Sequence, residues 1–361
     1  VIPEKRRRTR RILVGGVPVG GGAPVAVQSM TKTDTADVTA TLRQVRALAR
    51  AGCALVRIGL RDADGASALA RIVGGSPVPI IADIHFDPDL AYAAIDAGIS
   101  GIRLNPGTMA REKDFRAVLR RCAGASVAVR MGANAGSLPK DLAPLAKEDP
   151  AGALVETALR GAAVAAEEGV VNVKVSLKSS SVPDTVEAYR RFSKKSDLPL
   201  HLGITEAGPL LGGTVKSAVG LGILLAGGIG DTIRVSLTAP PVKEVEVGYD
   251  ILRCLGLHTG GVNLVSCPTC GRCRADLAPL VSQVERALKG VTAPVTVAVM
   301  GCEVNGPGEA AGADVGFAGG KNSGILFSRG KVLRKVTRDE ALSALVAAVH
   351  EFTATKEPRK P

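Results

Sequence analysis

The chain has 361 residues, 46% hydrophobic and 22% charged, a balance that excludes a disordered or fibrous protein and exceeds the size of one ordinary core. Aromatic residues make up only 2%, with no Trp, so aliphatic side chains and alanine must fill the interior, and the stacking platforms of a single-strand nucleic-acid binder are missing. The formal net charge of +12, without one long basic stripe, fits a generally basic, solubilising surface or, more sharply, attraction of an anionic substrate or an acidic partner, and argues less for nucleic acid. From the N-terminus, the basic block KRRRTRR (5–11) sits at a chain end expected to be mobile. The glycine-rich VGGVPVGGGAPVAV reads as an extended hairpin plugging the bottom of a barrel. Eight β-branched runs then alternate with helical stretches: VAVQSM (25–30), ALVRIGL (54–60), PIIADIH (79–85), GIRLNPG (101–107), VAVRMG (127–132), VNVKVSLK (171–178), LPLHLGIT (198–205) and DTIRVSL (231–237). The clearest helix, TADVTATLRQVRALARAG, spaces Val38, Leu42, Val45 and Leu48 on one apolar face and stops at Gly52.

Eight strand–helix units predict a (β/α)8 TIM barrel over residues 1–255, within an α/β chain. An open doubly wound sheet is the competing fold, but its glycine fingerprint should follow the first strand, and here the glycines precede it. Polar residues mark the strand ends: Gln28 and Ser29, Arg57, Asp83 and His85, Arg103 and Asn105, Arg130 and Asn134, Lys174, Ser176 and Lys178, His201, Thr205 and Glu206, then Arg234, Ser236 and Thr238. In a barrel these ends converge on one mouth. Arg57, Arg103 and Arg130 recur at equivalent positions and suit paired phosphate oxygens. Lys174 and Lys178 share a strand face, with Lys178 nearer the mouth. His85 and His201 fit either a substrate contact or a structural role.

After Asp250 the pattern changes, and residues 256–361 are expected to form a small α/β domain with little core of its own. The helical ADLAPLVSQVERALKG, the strand VTVAVM, an antiparallel group in ADVGFAGGKNSGILFSRGKVLRKV and the helix DEALSALVAAVHEFTA make up this part. SCPTCGRC places Cys267, Cys270 and Cys273 on one turn, and Cys302 follows in GCEVNGPGE. Such thiols suit zinc or an iron–sulfur cluster equally well. Cys53, Cys122 and Cys254 read as small buried hydrophobes. The odd count of seven cysteines favours a reducing compartment over a disulfide framework. The apolar stretches are too short or too glycine-broken to span a membrane. The opening VIPEKRRRTRRILVGG lacks the apolar centre of a secretory leader. A cytoplasmic enzyme is therefore expected.

Taken together and in order, PVAVQSMTKTDT, LVRIGL, ADIHF, GIRLNPG, VRMGANAGSLP, LHLGITEAG, GIGDTIRVSLT, NLVSCPTCGR and GCEVNGPGEA resemble the IspG family, also called GcpE, in its two-domain bacterial type. They run through nearly the whole chain. The resemblance implies a TIM barrel followed by a small α/β domain holding a [4Fe–4S] cluster. It implies reductive ring opening of 2-C-methyl-D-erythritol 2,4-cyclodiphosphate to (E)-4-hydroxy-3-methylbut-2-enyl diphosphate, with flavodoxin or ferredoxin as electron donor. It also implies a homodimer in which the cluster domain of one subunit caps the barrel of the other. The ligand set it implies is Cys267, Cys270, Cys302 and Glu309, leaving Cys273 as a neighbouring spare thiol. The substrate would be held by Arg57, Arg103, Asn105, Arg130, Asn134, Lys178, His201, Arg234, Ser236, Thr238 and Asn305. Glu206 is the candidate acid, with Asp83 and His85 positioning it or carrying protons. A zinc-stabilised barrel enzyme acting on another phosphorylated metabolite is the competing reading, and metal identity separates the two.

Overall fold

The β-branched runs are strands, and they curl until the two ends of their sheet nearly meet. The computed structural model describes residues 3–85, 87–108, 111–270, 273, 276–302, 306–320 and 322–354. The chain divides into two compact units, Val1–His258 and Thr259–Pro361. The first unit runs β1 (Ile12–Val14), β2 (Val17–Val19), β3 (Ala26–Met30), α1 (Val38–Arg50), β4 (Leu55–Gly59), α2 (Ala63–Gly75), β5 (Ile80–Asp83), α3 (Pro88–Asp96), β6 (Gly101–Leu104), α4 (Glu112–Gly124), β7 (Ala128–Asn134), α5 (Ala143–Glu148), α6 (Pro150–Glu167), β8 (Val173–Lys178), α7 (Val182–Lys195), β9 (His201–Leu202), α8 (Leu210–Ala226), β10 (Thr232–Ile233) and α9 (Pro241–Cys254).

Eight strands pair in parallel in the order β8-β7-β6-β5-β4-β3-β10-β9. An isolated parallel bridge between Val175 on β8 and Leu200, just before β9, joins the two ends into a nearly closed barrel. All eight expected strands are present, but the last two, β9 and β10, keep only two paired residues each. Their polar, glycine-containing continuations bend into mouth loops instead of extending the ladder. The chain enters the helices through side-chain caps near the mouth: Asp37, Asp62, Asp87, Asp149 and Ser181 each accept a backbone N–H at the start of the following helix. On α1, Val45 and Leu48 are fully buried, each contributing about 1.5–3 kcal/mol. Gly52 then leaves the helix at φ +93°, a left-handed geometry that glycine adopts without strain.

The β1–β2 hairpin closes the barrel floor. Ile12, Val14 and Val19 pack with Leu55, Ile81 and Ala128 from the starts of barrel strands. The basic block before it is anchored, contrary to the expectation of a mobile end. Arg6 bonds Asp231 at 3.0 Å and the carbonyls of Ala23 and Gly230. Arg7 donates to the carbonyls of Ser193, Ser196 and Leu198, and Arg10 pairs with Asp197 at 2.7 Å. These arginines satisfy carbonyls that the floor leaves open.

The second unit runs β11 (Val262–Ser266), α10 (Leu277–Ala287), β12 (Val295–Met300), α11 (Gly306–Glu309), β13 (Val315–Gly319), β14 (Ser323–Ser328), β15 (Lys331–Thr337) and α12 (Ala341–Ala354). Its sheet order is β11-β12-β13-β14-β15, with the first three strands parallel and the rest antiparallel. Strand β11 escapes a sequence reading because VNLVS is short and runs straight into the cysteine turn. The unit has a larger core than expected. Val297, Val299, Phe317 and Leu326 pack with Val284 of α10 and Leu345 of α12, while Ala298, Met300, Ala318 and Phe327 cluster separately. Residues alternating along β12 thus feed two apolar clusters.

Candidate active site

The barrel strands align a row of charged side chains. Register places Asp83 of β5 beside Arg103 of β6, Arg103 beside Arg130 of β7, and Arg130 beside Lys174 of β8. Each of these four residues is at least nine-tenths buried. Arg103 donates from Nη1 to Asp83 Oδ1 at 3.3 Å and lies 2.8 Å from His85 Nε2. Arg57 of β4 reaches the other carboxylate oxygen of Asp83 at 3.4 Å and turns its remaining nitrogens to Met30 Sδ. Asn134, with its amide oxygen toward Arg103, accepts from Nη2 at 2.8 Å. Lys178, in register with Asn134, rises four residues above Lys174 on the same strand face.

Positive charge is in excess. Six basic side chains, Arg57, Arg103, Arg130, Lys174, Lys178 and Arg234, share this interior with the carboxylates Asp83 and Glu244. The groups titrate accordingly. Burial works to raise the Asp83 carboxyl, but Arg57, Arg103, Arg130 and His85 outweigh it and hold it at about 2. Burial, then Arg130 and Arg57, bring Lys174 down to about 7. Burial and the neighbouring arginines lower Lys178, and burial with nearby Lys178 and Arg130 lowers His201. Arg130 Nε and Nη1, Lys174 Nζ and His201 Nε2 have no hydrogen-bond partner. Buried donors without acceptors are costly, so this cluster is complementary to an anion with several oxygens.

The remaining candidates differ in role. Asn105 is committed locally: its amide donates to Ser137 Oγ at 2.6 Å and accepts from Gly107 N at 2.9 Å. His201 holds Thr232 Oγ1 through Nδ1 at 2.8 Å. Glu206 stands exposed in the loop after β9, at φ +52°, a strained conformation for a residue with a side chain. That loop is tied to the one after β10, which carries Ser236 and Thr238, by a bridge between Pro209 and Thr238 and a 3.0 Å bond from Thr238 N to Gly208 O. Glu244 on α9 was not singled out from the sequence. Its carboxylate accepts from Ser29 Oγ at 2.9 Å and Leu237 N at 3.1 Å, and pairs with Lys32 at 3.2 Å. A signal was present: Glu244 interrupts the stripe of Pro241, Val245, Gly248 and Leu252 that α9 buries. The sequence favours Lys178 as the residue nearer the mouth, yet it is Lys174 that falls in the row with Arg130.

In the second unit the cysteines gather at one end of the sheet. Cys267 directly follows β11, and its N–H bonds Val299 O of β12 at 3.1 Å. Cys302 lies two residues past the end of β12. The Cys273 sulfur occupies the space where a side chain at Gly301 would stand. Cys270 is exposed in the connecting loop. Cys254, expected to be buried, is exposed at the end of α9. Asn305 lies outside the described residues, as does the Glu309 side chain. Among the described residues, no three His, Cys, Asp or Glu side chains converge to hold a metal ion. Cys267 and Cys302 nevertheless follow the ends of the adjacent parallel strands β11 and β12, and soft thiol donors there suit zinc or an iron–sulfur cluster alike.

Comparison with known families matches residues 9–249 to the GcpE TIM-barrel domain and residues 263–351 to the GcpE protein C-terminal domain. The chain belongs to the GcpE family. A family member from Geobacter sulfurreducens, named 4-hydroxy-3-methylbut-2-en-1-yl diphosphate synthase (flavodoxin), is 52% identical, covering 97% of this chain and 99% of its own length. One of the same name from Thermodesulfovibrio yellowstonii is 51% identical, covering 96% and 99%. The two GcpE segments correspond to the barrel and to the cysteine-bearing unit. Among the described residues no helix is long and apolar enough to cross a membrane.

Proposed function

We propose that this GcpE-family chain catalyses the reductive dehydration and ring opening of 2-C-methyl-D-erythritol 2,4-cyclodiphosphate to (E)-4-hydroxy-3-methylbut-2-enyl diphosphate, in the methylerythritol phosphate route to isoprenoids. The observation that carries the reading is the buried row of Arg103, Arg130 and Lys174, whose open donors match a diphosphate. In this reading Arg57, Arg103, Arg130, Lys178 and Arg234 bind the diphosphate oxygens, with Lys174 completing the charge beneath. Asn134, His201, Ser236 and Thr238 border the same space, and Asn105 shapes the loop beside it through Gly107 and Ser137. Asn305 belongs to the proposed substrate set from its motif alone.

Glu206 delivers the proton that lets the C3 hydroxyl depart as water. Its loop, pinned by Thr238, sets where that carboxyl points. Asp83 stays ionised between Arg57 and Arg103 and holds both guanidiniums toward the substrate. His85, against Arg103, relays protons at the rim.

Cys267, Cys270, Cys302 and Glu309 would hold a [4Fe–4S] cluster in the second unit, with Cys273 a spare thiol beside it. When bound, that cluster supplies electrons one at a time, chemistry that side chains lack. Flavodoxin or ferredoxin is the proposed donor, and a homodimer, with one subunit's second unit covering the other's barrel, the proposed assembly.

The test is anaerobic turnover of the cyclic diphosphate with reduced flavodoxin, followed by phosphorus NMR. Loss of the cyclic diphosphate signals and growth of a linear diphosphate supports the reading. Substrate left unchanged by protein that carries its cluster overturns it.

A further inference from the structure

The barrel ladder stops early on one side of its mouth. Strand β10 pairs with β3 at Thr232 with Ala26 and at Ile233 with Val27. Beyond Ile233 that ladder ends, while β3 runs on to Met30 in register with β4. A side chain spans the interval. Glu244, in the first turn of α9, is 1% exposed. Its Oε2 accepts from Ser29 Oγ of β3 at 2.9 Å, and its Oε1 accepts from Leu237 N, four residues past the end of β10, at 3.1 Å. Lys32, just after β3, pairs with Oε1 at 3.2 Å and donates to Leu237 O at 2.6 Å. Leu237 also seats on α8, where a Cβ at Gly213 would stand 2.6 Å from its Cδ2. The residue between Ser236 and Thr238 is thus held from three sides.

Helix chemistry alone does not ask for this. A carboxylate in the first turn suits the helix dipole, but an exposed one serves that end equally well. Burying it is costly unless donors and cations surround it.

Arg234 is the cation that links Glu244 to the anion site. Its Nε lies 3.6 Å from Glu244 Oε2, the only ion pair Arg234 makes among the described residues. Arg57, Arg130 and Lys178 surround it with like charge. Without an anchor, that repulsion would drive the guanidinium away from the cluster. Asp83 anchors Arg57 and Arg103, and Glu244 does the same for Arg234. We propose that Glu244 is a positioning residue for anion binding: it fixes the Arg234 guanidinium and the segment 236–238 where the ladder between β3 and β10 stops. The inference rests on the reading of this mouth as a diphosphate site.

A double-mutant cycle between Glu244 and Arg234 tests it, read by calorimetric titration of the anaerobically purified full chain with inorganic pyrophosphate. Glu244→Gln keeps the shape and both neutral bonds, since an amide accepts from Leu237 N and donates to Ser29 Oγ, but it loses the ion pairs. It should weaken pyrophosphate binding about tenfold. In an Arg234→Met background the same change should weaken binding less than about twofold, because the group that Glu244 holds is gone. Circular dichroism checks the fold of each variant. Glu244→Asp, with its carboxylate one methylene short, runs the same cycle if the Gln variant does not fold. Equal weakening in both backgrounds, the mark of a merely structural role, overturns the proposal. So does a folded Glu244→Gln chain that binds pyrophosphate as tightly as the native one. A native chain that binds no pyrophosphate strikes at the diphosphate site itself and takes this inference with it.

Discussion

Arg103 and Asp83 meet inside the barrel, Nη1 of the arginine lying 3.3 Å from Oδ1 of the carboxylate, with Arg57 on the second oxygen at 3.4 Å. One carboxylate thus holds two guanidiniums, while Arg130 beside them has open donors. The arrangement spends folding stability to preorganise a positive site, a trade common where binding requires strained electrostatics.

Asp83→Asn should destabilise the protein by about 3 kcal/mol, because Arg57 and Arg103 lose their buried counter-charge. The native carboxyl titrates at about 2, below its ordinary 3.8. The folded state therefore binds fewer protons there than the unfolded state between those values. Its stabilisation, ~2 kcal/mol, is complete above the ordinary carboxylate range and is lost as pH falls from about 4 to about 2. Denaturant melts across that window should show this slope in the native chain and a weaker one in the variant. Equal slopes would mean Asp83 is not the group responsible.

Arg130→Met should separate stability from binding. Removing buried donors that lack acceptors should leave the melting temperature unchanged or raised. Affinity for the cyclic diphosphate should fall on the order of a hundredfold or more, as a charge-assisted contact is lost. Calorimetric titration beside a thermal melt reads both. A variant that binds normally would remove Arg130 from the anion site.

Lys174 should take up a proton when the anion binds. Burial and its cationic neighbours bring it to about 7 from an ordinary 10.5. In the free protein stability accordingly rises with pH between those values, because there the unfolded chain holds the extra proton. A bound diphosphate favours the charged form and raises the pKa. Binding enthalpies measured near pH 8 in buffers of different ionisation enthalpy should reveal net uptake, reduced in Lys174→Met. Identical enthalpies across buffers would contradict this.

Gly203→Ala should damage the site with a single methyl group. A Cβ there would stand 2.5 Å from Lys178 Nζ and 2.7 Å from the backbone oxygen of Arg234. The backbone cannot yield cheaply, so the cost is about 1–3 kcal/mol of stability, and Lys178 must move, raising KM. Unchanged kinetics would show that Lys178 has room to retreat without consequence.

Much of this was legible in the sequence because parallel barrel strands are buried on both faces and announce themselves as runs such as VNVKVSLK. Arg57, Arg103 and Arg130 stand out because charge inside such runs needs a reason. Lys174 could not be preferred over Lys178 without the register that sets it beside Arg130. Glu244 belongs to a helix and reaches Ser29 across 215 residues of sequence. The arginines at the chain start read as loose charge, because carbonyls at the barrel floor give no sequence signal. Cys254 sits among apolar residues of α9 yet faces outward, a matter of helix phase at the last turn.

Glu206→Gln should lower kcat by about a hundredfold or more while leaving KM near its native value, since the amide keeps the shape and loses the proton. Steady-state kinetics separates the two constants. Loss of binding with kcat intact would remove Glu206 from the acid role.

The most direct single measurement is the iron, zinc and acid-labile sulfide content of anaerobically purified protein, with its visible absorption. About four iron and four sulfide per chain, with the broad absorption of a cluster, is the predicted result. Stoichiometric zinc without sulfide, in protein prepared anaerobically with iron supplied, would contradict the redox reading and leave a zinc-stabilised barrel.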